Sequence, residues 1–127
     1  MSTFDTNRTT LERSLLKIIQ FTEHGEYDKL PIVETDIPVL KDGQLLVKMS
    51  YAAVNPVDNT LRKGGVKEPV KFPKILGNEG SGVVMKGNAQ FPDGTRVIVS
   101  CMNNEGTVRG IATNGLWKEY VPLYPEE

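Results

Sequence analysis

Scarcity sets the first limits on this chain. It holds one cysteine, Cys101, and one histidine, His24. An intramolecular disulfide is therefore impossible. A closed zinc site needs about four nitrogen or sulfur ligands, and one of each cannot supply them. Charge of one sign is lacking too, with 15 basic side chains against 16 acidic and a formal net charge of −1. No overall field steers such a chain toward nucleic acid or an anionic membrane surface. No run approaches the roughly 20 consecutive apolar residues of a bilayer span. The first ten residues, Met1 to Thr10, have no basic stretch followed by an apolar one and do not read as a signal peptide. With a single free thiol and no export signal, a reducing, cytoplasmic compartment is expected. Neither nucleic acid nor membrane is expected as a partner.

What remains is an ordinary globular composition, 39% apolar and 24% charged, over 127 residues. That length suits one domain with a real core. Twelve glycines and eight prolines are spread along it, which favours short elements joined by turns. Residues 1–14 are polar and read as a tail, where Thr9-x-x-Glu12 has the spacing of a capping box. A first strand is expected at Leu15–Phe21. An extended run from Leu30 to Leu40 carries Pro31 and Pro38, which cannot donate to a ladder, so it reads as an edge. After the Lys41-Asp-Gly43 turn comes the clearest strand, Gln44 to Val54, with Leu45, Val47, Met49, Tyr51 and Ala53 on one face. Asn55-Pro56-Val57-Asp58 is the best helix start, an N-cap, a proline at N1 and an acid at N3. Gly64-Gly65 stops that helix. Further strands are expected at Ser81–Lys86, Thr95–Cys101 and Trp117–Leu123, with loops at 66–74 and 103–115. Six or seven short strands with one or two short helices predict a mainly β fold, a partly open barrel.

Few residues carry chemistry on their face. Gly77-Asn-Glu-Gly80-Ser-Gly82 tempts a phosphate-loop reading. Its spacing is G-x-x-G-x-G, however, a strand follows where a helix is needed, and Glu79 would repel phosphate. It reads as a bend that lets strands pack closely. His24, beside Glu23 and Glu26, reads as a solvated surface histidine. Cys101, at the end of an apolar strand, reads as a buried structural thiol. Arg62, Lys63, Lys67, Lys71 and Lys74 against Glu68 give a net +4 over residues 62–74 and read as a solvated loop. Asn55 and Asn78 draw more interest, one at a helix cap and one inside a glycine-rich bend.

Four ordered motifs then match a family. They are Ala53-Val-Asn55-Pro-Val-Asp58, Pro73-Lys-Ile-Leu-Gly77-Asn-Glu79-Gly-Ser-Gly82-Val-Val, Gly94-Thr-Arg96-Val and Gly115-Leu-Trp-Lys-Glu119-Tyr-Val121. Together they resemble the N-terminal GroES-like domain of the medium-chain dehydrogenase/reductase superfamily, in its zinc-independent, quinone oxidoreductase-like branch. The resemblance covers roughly residues 15–123 and implies a GroES-like catalytic domain over 15–127. Zinc-dependent members carry a cysteine ligand where this chain has Asn55, and a histidine where it has Asn78, so no zinc is expected here. Asp58 and Glu79 persist from the family pattern, and Thr60 stands where a tyrosine is frequent. The resemblance implies hydride transfer from NADPH to a small-molecule quinone or enone, with hydrogen-bond donors stabilising the developing negative charge. It implies Asn55 as the catalytic residue beside the nicotinamide, with Thr60 and Asn78 lining the same substrate cleft. Family enzymes continue into a nucleotide-binding domain and are usually homodimers. That domain is absent from this sequence, so a fragment inactive alone, unable to hold NADP(H), is expected. The alternatives are a natural short, non-enzymatic binding module and a co-chaperonin-like ring protein.

Overall fold

Residues 15–66 and 69–127 are described by a computed structural model. The tail of residues 1–14, with its Thr9–Glu12 cap, and Lys67 and Glu68 of the basic run lie outside the described residues. Strand β1 (Leu15–Ile19) alternates as a half-buried strand should, with Leu16 and Ile18 turned inward. It pairs antiparallel with β2 (Ile32–Asp36) in a two-stranded sheet. Pro31 and Pro38 flank β2 and stay outside its ladder, as the edge reading requires. A short 3₁₀ turn at Tyr27–Lys29 joins the two strands.

The second sheet has four strands in the order β5-β4-β3-β6, all antiparallel. They are β3 (Leu45–Ala52), β4 (Gly80–Lys86), β5 (Arg96–Val99) and β6 (Tyr120–Leu123). The stretch before β6 seams the two sheets together. Ile19 N–H donates to Trp117 O at 2.9 Å, Glu119 N–H to Lys17 O at 3.0 Å, and Met49 N–H to Glu119 O at 2.8 Å. The sheets do not close into a barrel. The fold is mainly β and partly open, as expected.

One expected pattern changes along β3. Leu45 and Val47 are buried and Met49 packs on the core, but the register with β4 slips between Met49 and Tyr51. An extra residue in a strand reverses the facing of everything after it. Tyr51 therefore turns out to solvent, 78% exposed, and Ala52 packs inward in its place. Gly80 and Gly82 of β4 explain how closely the strands approach, since a Cβ on either would collide with the β3 main chain.

The core is three apolar clusters. Val47, Val84, Val99, Leu116, Val121 and Leu123 fill the large sheet. Leu16, Ile18 and Ile75 back β1, and Phe21, Leu61 and Leu76 seat helix α1 (Pro56–Lys63). Trp117 packs against both of the latter, so the chain's one tryptophan ties α1 to the small sheet. Among the described residues no helix is long and apolar enough to cross a membrane.

Candidate functional site at the start of helix α1

The site begins with how the chain enters α1. Asn55 is extended at φ −111° and ψ 160°, Pro56 fills the first helical position, and Gly64 ends the helix in the left-handed region at φ 89°. Asp58, three residues into the helix, is buried and accepts twice. Its Oδ2 takes the Asn55 N–H at 2.8 Å, the return arm of a capping box. Its Oδ1 takes the Gly77 N–H at 3.1 Å. One carboxylate thus fastens the helix start to a bend far along the sequence. Gly77 sits at φ 102°, where L side chains are strained, and a Cβ there would run into the Trp117 indole. The bend is held from the other side as well, because Ala53 N–H donates to Glu79 O at 2.9 Å and Trp117 Nε1 donates to Ala53 O at 3.2 Å.

Those constraints bring Asn55 and Asn78 side by side. Asn55 Nδ2 donates to Asn78 Oδ1 at 2.7 Å and to Glu79 Oε2 at 2.9 Å. Both N–H bonds of that carboxamide are spent within the domain. Thr60 is not drawn into this cluster. It is exposed on α1, its hydroxyl donates back to Pro56 O at 3.2 Å, and its methyl faces Gly65. An open groove of about 480 Å³ is walled by Ile18, Ile32, Tyr51, Val54, Trp117 and Lys118, and none of Asn55, Thr60, Asn78 and Glu79 lines it. Val54 precedes Asn55 in the chain, and Trp117 lies on Gly77, beside Asn78 in the chain. Burial pushes the Lys118 ammonium below its ordinary range.

Several sequence expectations need correction here. Cys101 is exposed rather than buried, because β5 ends at Val99 and the chain turns outward before the thiol. The basic run is not solvated throughout. Arg62 is buried, donating to Asn59 Oδ1 at 2.6 Å and to Gly25 O, with its guanidinium 4.1 Å over the Tyr27 ring. Lys74 is buried as well, donating to Ile111 O at 2.7 Å and Thr113 O at 2.8 Å, and burial pushes its ammonium below the ordinary lysine range. Spacing gave no hint that the Gly25, Ile111 and Thr113 carbonyls, all distant in sequence, would receive these cations. His24 is exposed as expected, yet its Nδ1 lies 2.9 Å from Leu61 O and its ring meets Phe21 and Phe72 edge-on. Trp117 and the buried Arg109–Glu127 ion pair at 3.1 Å were missed as organising residues. The rarity of tryptophan was the available signal for the first; nothing local signalled the second.

Comparison with known proteins places the chain in a family. The family profile described as alcohol dehydrogenase GroES-like domain matches residues 41–127. The chain is 35% identical, over 84% of its length and 32% of the other, to a chloroplastic quinone-oxidoreductase homolog of Spinacia oleracea. It is 34% identical to a zinc-type alcohol dehydrogenase-like protein of Schizosaccharomyces pombe, over 77% of this chain and 28% of that one. The solved quinone oxidoreductase from Coxiella burnetii superposes with a TM-score of 0.67 at 26% identity, covering 88% of this chain and 35% of that one. The chain spans about a third of the length of the curated relatives it matches. It belongs to the medium-chain dehydrogenase/reductase family of oxidoreductases, as an alcohol dehydrogenase GroES-like domain.

Proposed function

We propose that residues 15–127 are the substrate-binding and catalytic domain of an NADPH-dependent quinone or enone reductase that works without zinc, together with a nucleotide-binding domain. The observation that supports this reading is the hydrogen-bonded Asn55–Asn78–Glu79 cluster, in which, by the resemblance, Asn55 and Asn78 take the places of a cysteine and a histidine ligand of zinc-dependent members. The donor set there does not fit zinc. Asn55 turns its N–H side, not its oxygen, toward Glu79 and Asn78, and carboxamides are poor substitutes for thiolate or imidazole. Among the described residues no three His, Cys, Asp or Glu side chains gather into a metal-binding group.

Reduced nicotinamide, when bound, supplies a hydride to an electrophilic carbon. The Gly77–Gly82 bend is not built as a phosphate cradle, since a strand follows it and Glu79 is exposed on it. The domain's own part is to receive the substrate along the apolar wall of Val54 and Trp117. As the carbon accepts hydride, the electron pair moves to the substrate oxygen, and amide donors fixed beforehand stabilise it at little reorganisation cost. We assign Asn55 and Asn78 to the substrate site, with Asn55 on the nicotinamide side; Thr60, exposed and bonded to Pro56 O, stands apart from them. An exposed, unpaired Cys101 suits a reducing compartment such as the cytoplasm. Pairing of two copies is expected.

The test is turnover. The transcript is sequenced through and beyond the Glu127 codon, and the whole encoded polypeptide is assayed with NADPH against a benzoquinone and a simple enone. Oxidation of NADPH dependent on either acceptor supports the reading. Absence of turnover with both favours the rival reading, a non-enzymatic binding module presenting the groove rimmed by exposed Ile32, Tyr51 and Val54.

A further inference from the structure

The three-residue cluster fixes more than its own two bonds, because one member can only accept. An ionised carboxylate has no hydrogen to offer. The end of Asn55 that meets Glu79 Oε2 at 2.9 Å must therefore be Nδ2. That same nitrogen meets Asn78 at 2.7 Å, where a second amide nitrogen would set donor against donor. Asn78 must turn its Oδ1 inward. The direction of the Asn78 carboxamide thus follows from Glu79, one residue further along the chain and acting through Asn55. Asn78 is half-buried, and its Nδ2 makes no hydrogen bond among the described residues.

We propose that Glu79 is a positioning residue. It locks Asn55, and through Asn55 it turns Asn78 so that the Asn78 N–H₂ is the donor offered to the carbonyl oxygen of a bound quinone or enone. The inference rests on the reading of this cluster as the reductase site. It moves the donor role from Asn55, whose N–H bonds are committed, to Asn78, whose N–H bonds are not. Asp58 holds the scaffold beneath, since it joins the Asn55 and Gly77 main chains whichever way the amides face.

Side-chain amide exchange in the isotope-labelled 127-residue chain reads this orientation with no substrate present. The Asn55 N–H₂ is expected to exchange about tenfold more slowly than the Asn78 N–H₂, the protection of a charge-assisted hydrogen bond. Glu79→Gln can present either end of an amide, so it should speed Asn55 exchange severalfold with the backbone spectrum unchanged. Asn78→Asp keeps an oxygen toward Asn55 and replaces the outward N–H₂ by a second, anionic oxygen, so Asn55, now between two carboxylates, should stay slow. Faster exchange at Asn55 than at Asn78, or loss of Asn55 protection in Asn78→Asp, overturns the orientation. Turnover tests the donor role separately. In the whole polypeptide Asn78→Asp should lower kcat about 100-fold, as loss of a preorganised donor does, with a smaller change in KM. Unchanged kcat overturns the donor role. Failure of the wild type to reduce any quinone or enone overturns the parent reading instead, and the exchange pattern still reports the orientation.

Discussion

Asn55 has two side-chain N–H bonds and donates both, to Asn78 Oδ1 and Glu79 Oε2. Truncation at that position leaves an amide and a carboxylate without their donor. Asn55→Ala is expected to lower kcat of the whole polypeptide about 100-fold, because the donor geometry is lost. Its thermal unfolding should shift by only about 1 kcal/mol, since Glu79 is exposed and water replaces the lost partner. Steady-state kinetics beside a melting curve separates the two effects. A different balance governs Lys74, whose ammonium is seated on the Ile111 and Thr113 carbonyls and held below 10.5 by burial. The unfolded chain keeps protons that folded Lys74 and Lys118 release, so these two groups make stability rise with pH over a range that ends at 10.5. Lys74→Met removes one share of that slope and strands two carbonyls, at a cost of about 1–3 kcal/mol. Melting temperatures of both proteins should therefore diverge, in favour of the wild type, as pH rises from neutrality toward 10.5.

Two elements depend on a single carboxylate each. Asp58 serves the start of α1 and the Gly77 bend together. Asp58→Ala should cost about 2 kcal/mol or more in denaturant unfolding, the sum of a lost cap and a buried unpaired N–H. Asp58→Asn, which keeps one acceptor, should cost less. Glu127 does the same for the loop after β5. Its Oε1 pairs with buried Arg109 at 3.1 Å, its Oε2 takes the Asn104 N–H at 3.1 Å, and its main-chain oxygen takes the Ser100 N–H. Removing one partner of a buried pair strands the other, so Glu127→Gln should destabilise by about 3 kcal/mol. Limited proteolysis should then cut first within residues 100–113. The helix was legible in the sequence because its signals are local: asparagine cap, proline at N1, acid at N3, glycine stop. Most strands were legible too, within a few residues at each end. The slip in β3 was not, since nothing between Met49 and Tyr51 distinguishes a bulge from continued alternation. The burial of Arg62 and Lys74 was equally hidden, because the Gly25, Ile111 and Thr113 carbonyls that receive them are brought close only by the fold. Asn55 and Asn78 could be singled out individually, but their contact depends on Asp58 and Gly77 meeting across the molecule.

At the scale of the whole molecule, two sheets joined along Trp117–Glu119 leave an apolar groove walled by Ile18, Tyr51, Val54 and Trp117. The family's solved members extend well beyond the region this chain covers. In the division of labour proposed above, this domain supplies donors and an apolar wall and a second domain holds the nucleotide. Calorimetric titration of the 127-residue chain with NADPH should accordingly show no saturable binding. The central claim is that amides, held by Glu79 and Asp58, stand where a metal centre stands in zinc-dependent relatives. Elemental analysis of the purified protein, after exposure to equimolar zinc and removal of loosely held ions, tests it most directly. The account predicts far less than one zinc per chain, with the melting temperature unchanged by a chelator. About one zinc per chain, lost together with stability when the chelator is added, would contradict it.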